Sequence, residues 1–192
     1  MASIKSLFLS NVAQVVDNPS ALVIERAEGC YLYGPDGKAY LDLISGISVS
    51  NVGHSHPHII EAVNTQVSKH MHLQVYGEFA VTPQALLAEK TLSKLSPCME
   101  SVYFVNSGTE AIEGALKVAK KYTGRTQLIS FKNSYHGSTH GALSIQGSEE
   151  FKQGYYPLLP DTHQFDYNSL EVLDHITTRT AAVVIECIQA ES

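Results

Sequence analysis

Asn106-Ser107-Gly108-Thr109-Glu110 decides how this sequence is read, because it stands between an apolar run, Ser101 to Val105, and a segment of helical period that starts at Ala111. The order is strand, turn, helix. The first N–H groups of such a helix have no acceptor within it, and its dipole places positive potential at the same point. Glycine lets the main chain come close and hydroxyls add donors, so one anionic group fits the junction. An ordinary helix N-cap by Ser107 or Thr109 accounts for the same five residues, and both readings stand. A nucleotide loop does not fit, since neither G-x-x-x-x-G-K followed by Ser or Thr nor G-x-G-x-x-G occurs.

Outward from this loop, Ala111, Ile112, Ala115, Ala119 and Tyr122 recur on one helical face, with Glu113 and Lys117 four apart on the outer side. Lys120 and Lys121 suit the last turn and Gly124 the stop. Leu128 to Phe131 and Ala181 to Ile185 read as further strands, apolar on both faces as parallel strands covered by helices are. Between them, Glu149 to Asp161 reads as an ordered loop and Ser169 to Ile176 as a short helix. Ser134-Tyr135-His136-Gly137 follows the second strand, at the carboxyl end where open α/β sheets place ligands. An aromatic there can stack on a flat ring and a histidine can orient its neighbour; a Tyr and a His that merely close a loop are the plainer alternative.

Toward the N-terminus, Pro83 opens an amphipathic run through Leu86, Leu87 and Leu95, and Pro57 opens another through Ile60, Val63 and Val67. Glu28 to Leu43 holds two short apolar-aromatic runs around Pro35-Asp36-Gly37, a small hairpin. The whole is an α/β chain.

Composition narrows the function. The 192 residues are 44% apolar, typical of a globular core. A net charge of -6 from dispersed acids, with no cluster of Lys and Arg, argues against nucleic acid. Ser3 to Val16 lacks the continuous apolar run of a signal peptide or a membrane span, which places the protein in the cytoplasm. Cys30, Cys98 and Cys187 form no C-x-x-C pair, so neither a disulfide framework nor a cysteine zinc site is expected. His54, His56, His58, His70 and His72 lack the acidic or cysteine partners of a ligand set, and no metal is expected.

Taken together, four stretches resemble the class III, or ornithine-type, pyridoxal-phosphate-dependent aminotransferases. Tyr31 to Asp42 with Ser45-Gly46-Ile47 and Gly53-His54-Ser55-His56-Pro57 is similar to the family's N-terminal hairpin and S-G-I and G-H-x-H-P signature. Asn106 to Lys117 is similar to its phosphate loop and following helix, Tyr135-His136-Gly137 to its ring-stacking motif, and Ile185 to Glu191 to its V-E-P-I-Q-G-E segment.

The resemblance implies part of a fold type I transferase: a mainly parallel sheet with helices on both faces, after a small hairpin region. Residues 1–50 would contribute to the small domain and 51–192 would begin the large, cofactor-binding one. It implies pyridoxal 5'-phosphate, held at its phosphate by Ser107 and the Gly108 and Thr109 amides, with Tyr135 over the ring, His136 beside it and Glu186 supporting its face. Ile47 and Tyr76 would lie near the substrate. Glu191 matches a gating glutamate that pairs with an arginine and frees it for a dicarboxylate such as 2-oxoglutarate. The implied reaction moves an amino group from an ω-amino acid or amine to an oxo acid, in a homodimer, with no membrane partner.

Two departures qualify this. Cys187 replaces the proline of V-E-P, and Ser138 stands where several members carry a carboxylate-binding arginine, so the donor is open. The family's Schiff-base lysine has no counterpart among these residues, so no catalytic residue is assigned and a 192-residue fragment is expected to be inactive. The alternative is a truncated, non-catalytic chain that binds a partner.

Overall fold

A computed structural model describes residues 2–74 and 77–190, and its contacts divide the chain into two compact units, 1–82 and 83–192. This division lies between residues 82 and 83, whereas the sequence reading draws its domain boundary at residue 50.

In the first unit, helix α1 (Ile4–Asn11) precedes an antiparallel sheet of β1 (Arg26–Glu28), β2 (Tyr31–Tyr33) and β3 (Ala39–Leu41). The expected hairpin is β2 and β3, paired Tyr31 with Leu41 and Tyr33 with Ala39 around the Pro35-Asp36-Gly37 turn. A short turn, α2 (Ser45–Ser48), follows; it is left-handed, with φ of 51°, 59°, 59° and 63° at Ser45, Gly46, Ile47 and Ser48. Side chains with a Cβ resist that hand by roughly 1–2 kcal/mol per residue, so the turn needs an external hold. Asp42 provides one: Oδ1 accepts from the Ile44 and Ser45 N–H groups at 3.0 and 2.9 Å, and Oδ2 lies 2.7 Å from His54 Nε2. Helix α3 (Pro57–Lys69) starts with proline at its first position, where a missing N–H costs nothing.

The second unit opens with α4 (Thr82–Leu92) and continues through α5 (Gly108–Thr123), β4 (Gln127–Phe131), α6 (His140–Ser144), β5 (Thr162–Phe165), α7 (Val172–His175) and β6 (Thr180–Val183). The three strands form a parallel sheet ordered β5-β4-β6. All five residues of β4 are buried. Leu128 packs with Leu116 of α5 and Ile145 after α6 on one face, and Ile129 and Phe131 pack with Val172 of α7 on the other. Burying side chains of this size contributes about 1.5–3 kcal/mol each, so β4 anchors the unit.

Four sequence expectations change here. Ser101 to Val105 is no strand: it pairs with no neighbour among the described residues, and Tyr103 is 81% exposed. High strand propensity yields a strand only where a ladder partner is present. The buried side of α5 runs through Ile112 and Leu116 rather than through Tyr122, which is 90% exposed, because alanines carry too little apolar area to orient a helix. Glu113 does not face outward to Lys117 but bonds to α6. Finally, β5 and α6 lie where no element was expected; β5, Thr-His-Gln-Phe, has too little apolar character to announce a strand.

Asp161 ties the amino end of this sheet together. Its carboxylate accepts from Thr126 Oγ1 at 2.6 Å, from Arg179 Nη2 at 2.9 and 3.0 Å, and lies 3.2 Å from His163 Nε2. These bonds, the Thr126 hydroxyl first, hold its pKa down to about 2 from 3.8. A depressed carboxylate pKa adds stability that is complete above the unfolded value and is lost as pH falls through the folded one. The wild-type melting temperature should therefore fall between about pH 4 and pH 2 more steeply than that of Asp161→Asn, which starts lower at neutral pH. Parallel melting curves for the two proteins would refute this role.

Candidate cofactor site

The chain that leaves β4 turns through Asn133 and Ser134 and comes back across the start of α5. Ser134 is buried and its hydroxyl donates to the Phe131 carbonyl at 2.7 Å, which fixes the turn. The loop Tyr135–Ser138 and the α5 start, Ser107–Thr109 with Ile112, thereby enclose an open cleft of about 550 Å³. It lies at the carboxyl end of the central strand.

Ser107 caps α5: it is extended (φ -153°) and its hydroxyl oxygen accepts from the Glu110 N–H at 3.3 Å. Glu110 Oε2 accepts in return from the Asn106 N–H at 2.7 Å, one residue further out than in the usual reciprocal cap. The Gly108 and Thr109 N–H groups open the helix with no acceptor behind them among the described residues, and both residues line the cleft. The structure shows the N-cap, which spends the Ser107 oxygen and leaves the Gly108 and Thr109 N–H groups without an acceptor among the described residues, so the two readings of the sequence are compatible.

Across the cleft, Tyr135 is partly exposed, its ring edge-on to Phe151 at 6.0 Å and its hydroxyl 3.4 Å from Ser138 Oγ. His136 is buried. Burial lowers its pKa, against the Glu186 charge, which raises it, so the imidazole is neutral near pH 7. His136 Nε2 and Glu186 Oε2 are both buried without a partner among the described residues. Glu186 follows β6, where Tyr167 donates to the Glu186 and Cys187 carbonyls at 2.7 and 3.1 Å.

The structure thus brings Ser107, Gly108, Thr109, Tyr135, His136 and Ser138 to one cleft, and the pKa of His136 responds to Glu186. Ile47 is in the left-handed turn of the first unit, 75% exposed. Tyr76 and Glu191 lie outside the described residues. Sequence reasoning missed Glu113 and Thr139. Thr139 stands before a short apolar run, a helix-start signal that was legible; nothing in the sequence showed that Glu113 meets it. Among the described residues no three His, Cys, Asp or Glu side chains gather as a metal site would need, and no helix is long and apolar enough to cross a membrane.

A parallel sheet with a helix N-terminus beside an aromatic-histidine loop at its carboxyl end indicates the class, and comparison with known proteins names the family. Residues 12–192 match the aminotransferase class-III family, and the chain belongs to it. It is 41% identical over 172 residues to an acetylornithine aminotransferase of Archaeoglobus fulgidus, covering 89% of this chain and 45% of that protein. An ornithine aminotransferase of Staphylococcus aureus is 36% identical, with 90% and 45% covered. Among solved structures, the adenosylmethionine-8-amino-7-oxononanoate aminotransferase of Methanocaldococcus jannaschii superposes with a TM-score of 0.85 at 31% identity, covering 93% of this chain and 45% of that one. The taurine:2-oxoglutarate aminotransferase of Bifidobacterium kashiwanohense, solved with pyridoxal phosphate and glutamate, gives 0.83 at 25% identity, with 94% and 46% covered. The fold is accordingly part of the pyridoxal-phosphate transferase fold type I, and the chain spans a little under half the length of these relatives.

Proposed function

We propose that the cleft binds pyridoxal 5'-phosphate and that the protein takes part in transamination, moving an amino group from an ω-amino acid or amine to an oxo acid such as 2-oxoglutarate. The observation that carries this reading is that the first residues of α5 and the Tyr135–Ser138 wall line one cleft. The residues present fit the group in one further way. His136 Nε2 and Glu186 Oε2 are buried polar atoms with no partner among the described residues.

Pyridoxal phosphate supplies an electron sink that lets an amino group leave one carbon and join another. This chain's residues bind and orient. Ser107 Oγ with the Gly108 and Thr109 N–H groups would hold the phosphate, and Tyr135 would lie over the ring. Neutral His136 can donate a hydrogen bond without adding charge beside the ring, and Glu186 would support the ring's face. Ser138 offers a hydroxyl and no cation, which favours donors without a carboxylate at that position. Ile47 and Tyr76 are assigned to the substrate side and Glu191 to gating. We assign residues 1–50 to the small domain and 51–192 to the cofactor-binding one, and the assembly to a homodimer.

The test is a titration of the chain with pyridoxal phosphate followed by phosphorus NMR. Wild type should shift the phosphate resonance, and Ser107→Ala should weaken binding about tenfold or more, the loss of one hydrogen bond to a charged group. If unphosphorylated pyridoxal competes equally, or Ser107→Ala binds like wild type, the phosphate assignment fails.

A further inference from the structure

We propose that Glu113 is a positioning residue: by accepting the Thr139 hydroxyl proton it makes Thr139 Oγ1 the acceptor for the Thr109 hydroxyl, and so fixes which groups of the Ser107–Thr109 loop are left to meet a phosphate. Glu113 Oε1 accepts from Thr139 Oγ1 at 2.6 Å, from the Gly141 N–H at 2.8 Å and from the Ala142 N–H at 3.1 Å. A carboxylate of one helix thereby closes the start of another, α6, whose own cap residue Thr139 makes no side-chain bond to its first turn.

Proton counting gives the direction of the chain. An ionised carboxylate only accepts, so the single Thr139 hydroxyl proton points at Glu113. Thr109 Oγ1 lies 2.6 Å from Thr139 Oγ1, and the proton between them must then belong to Thr109. The Thr139 N–H, 3.3 Å from Thr109 Oγ1, takes a remaining acceptor position on that oxygen. The relay runs Thr109 to Thr139 to Glu113. Burial of Glu113 pushes its pKa up, but the Thr139 hydroxyl and the Ala142 and Gly141 N–H groups outweigh it and hold the carboxyl below its usual range, so the acceptor end stays ionised near neutral pH.

Two consequences follow for the cleft. Thr109 has no hydroxyl proton left for an anion, so the hydroxyl donor of the Ser107–Thr109 loop is Ser107, whose oxygen accepts from Glu110 and whose proton has no acceptor among the described residues. The same relay pins the stretch after Ser138 to α5, and with it the Tyr135–Ser138 wall. The phosphate part of this inference rests on the cofactor reading above; the relay does not.

Amide exchange at Gly141 and Ala142 in the full chain tests the relay. Thr139→Val should lower protection about tenfold, Thr139→Ser should restore it to within about twofold, and the smaller effect of Thr109→Val should vanish in a Glu113→Ala background. Additive effects of Thr109→Val and Glu113→Ala, or no rescue by serine, would overturn it. In the phosphorus NMR titration with pyridoxal phosphate, Thr109→Val should bind within about threefold of wild type while Ser107→Ala loses about tenfold. The reverse order would overturn the hydroxyl assignment. A wild-type chain that binds no pyridoxal phosphate would sink the cofactor reading and leave the relay to be decided by exchange.

Discussion

Gly137→Ala is expected to abolish pyridoxal phosphate binding to the cleft and to lower the melting temperature at the same time. Gly137 has φ +118°, where an L side chain costs on the order of 1–3 kcal/mol. A Cβ there would also strike Thr109, whose side chain and Cα at 2.9 Å are its nearest neighbours. Retreat of the side chain would break the Thr109 to Thr139 bond, and retreat of the main chain would move the N–H groups that open α5. Overpacking of this kind adds roughly 1–3 kcal/mol. Calorimetry and the phosphorus NMR titration read the two effects, and a variant that binds and melts like wild type would show that the loop does not need its close approach to α5.

The second large effect is expected at Gly147. The three atoms nearest a Cβ there are all main-chain: the Ser134 and Asn133 nitrogens and the Phe131 carbonyl oxygen. None of these can rotate aside, and the Gly147 N–H already donates to the Ser134 carbonyl at 2.9 Å. The turn it touches is the exit from β4, whose residues are all buried. Gly147→Ala should cost roughly 3 kcal/mol, the upper end for overpacking, and lower the melting temperature by roughly 6–12 °C for a chain of this size. A loss under about 2 °C would mean that the β4 exit can shift, contrary to its burial.

What the sequence made legible, and what it hid, follows from the range of the forces involved. The hairpin, α3, α5 with its Gly124 stop, and β4 are set by turn chemistry, capping and unbroken apolar runs, all of which act over a few residues. The start of α5 at Ser107–Thr109 was legible for the same reason. Hidden features depend on partners far along the chain. β5 is a strand because Ser130 and Phe131 supply its ladder opposite Gln164 and Phe165, not because Thr-His-Gln-Phe prefers to be one. Ser101 to Val105 fails for the converse reason. The orientation of α5 turned on Leu116 and on a carboxylate, Glu113, that sequence spacing alone paired with the wrong neighbour.

The strand order β5-β4-β6 also has a temporal side. During synthesis the fully buried central strand leaves the ribosome before either flanking strand, since β5 begins at Thr162 and β6 at Thr180, both well after Phe131. At about 5–20 residues per second, β4 is without its sheet neighbours for seconds. The backbone groups of β4 are therefore paired in two stages, one edge as β5 arrives and the other as β6 does.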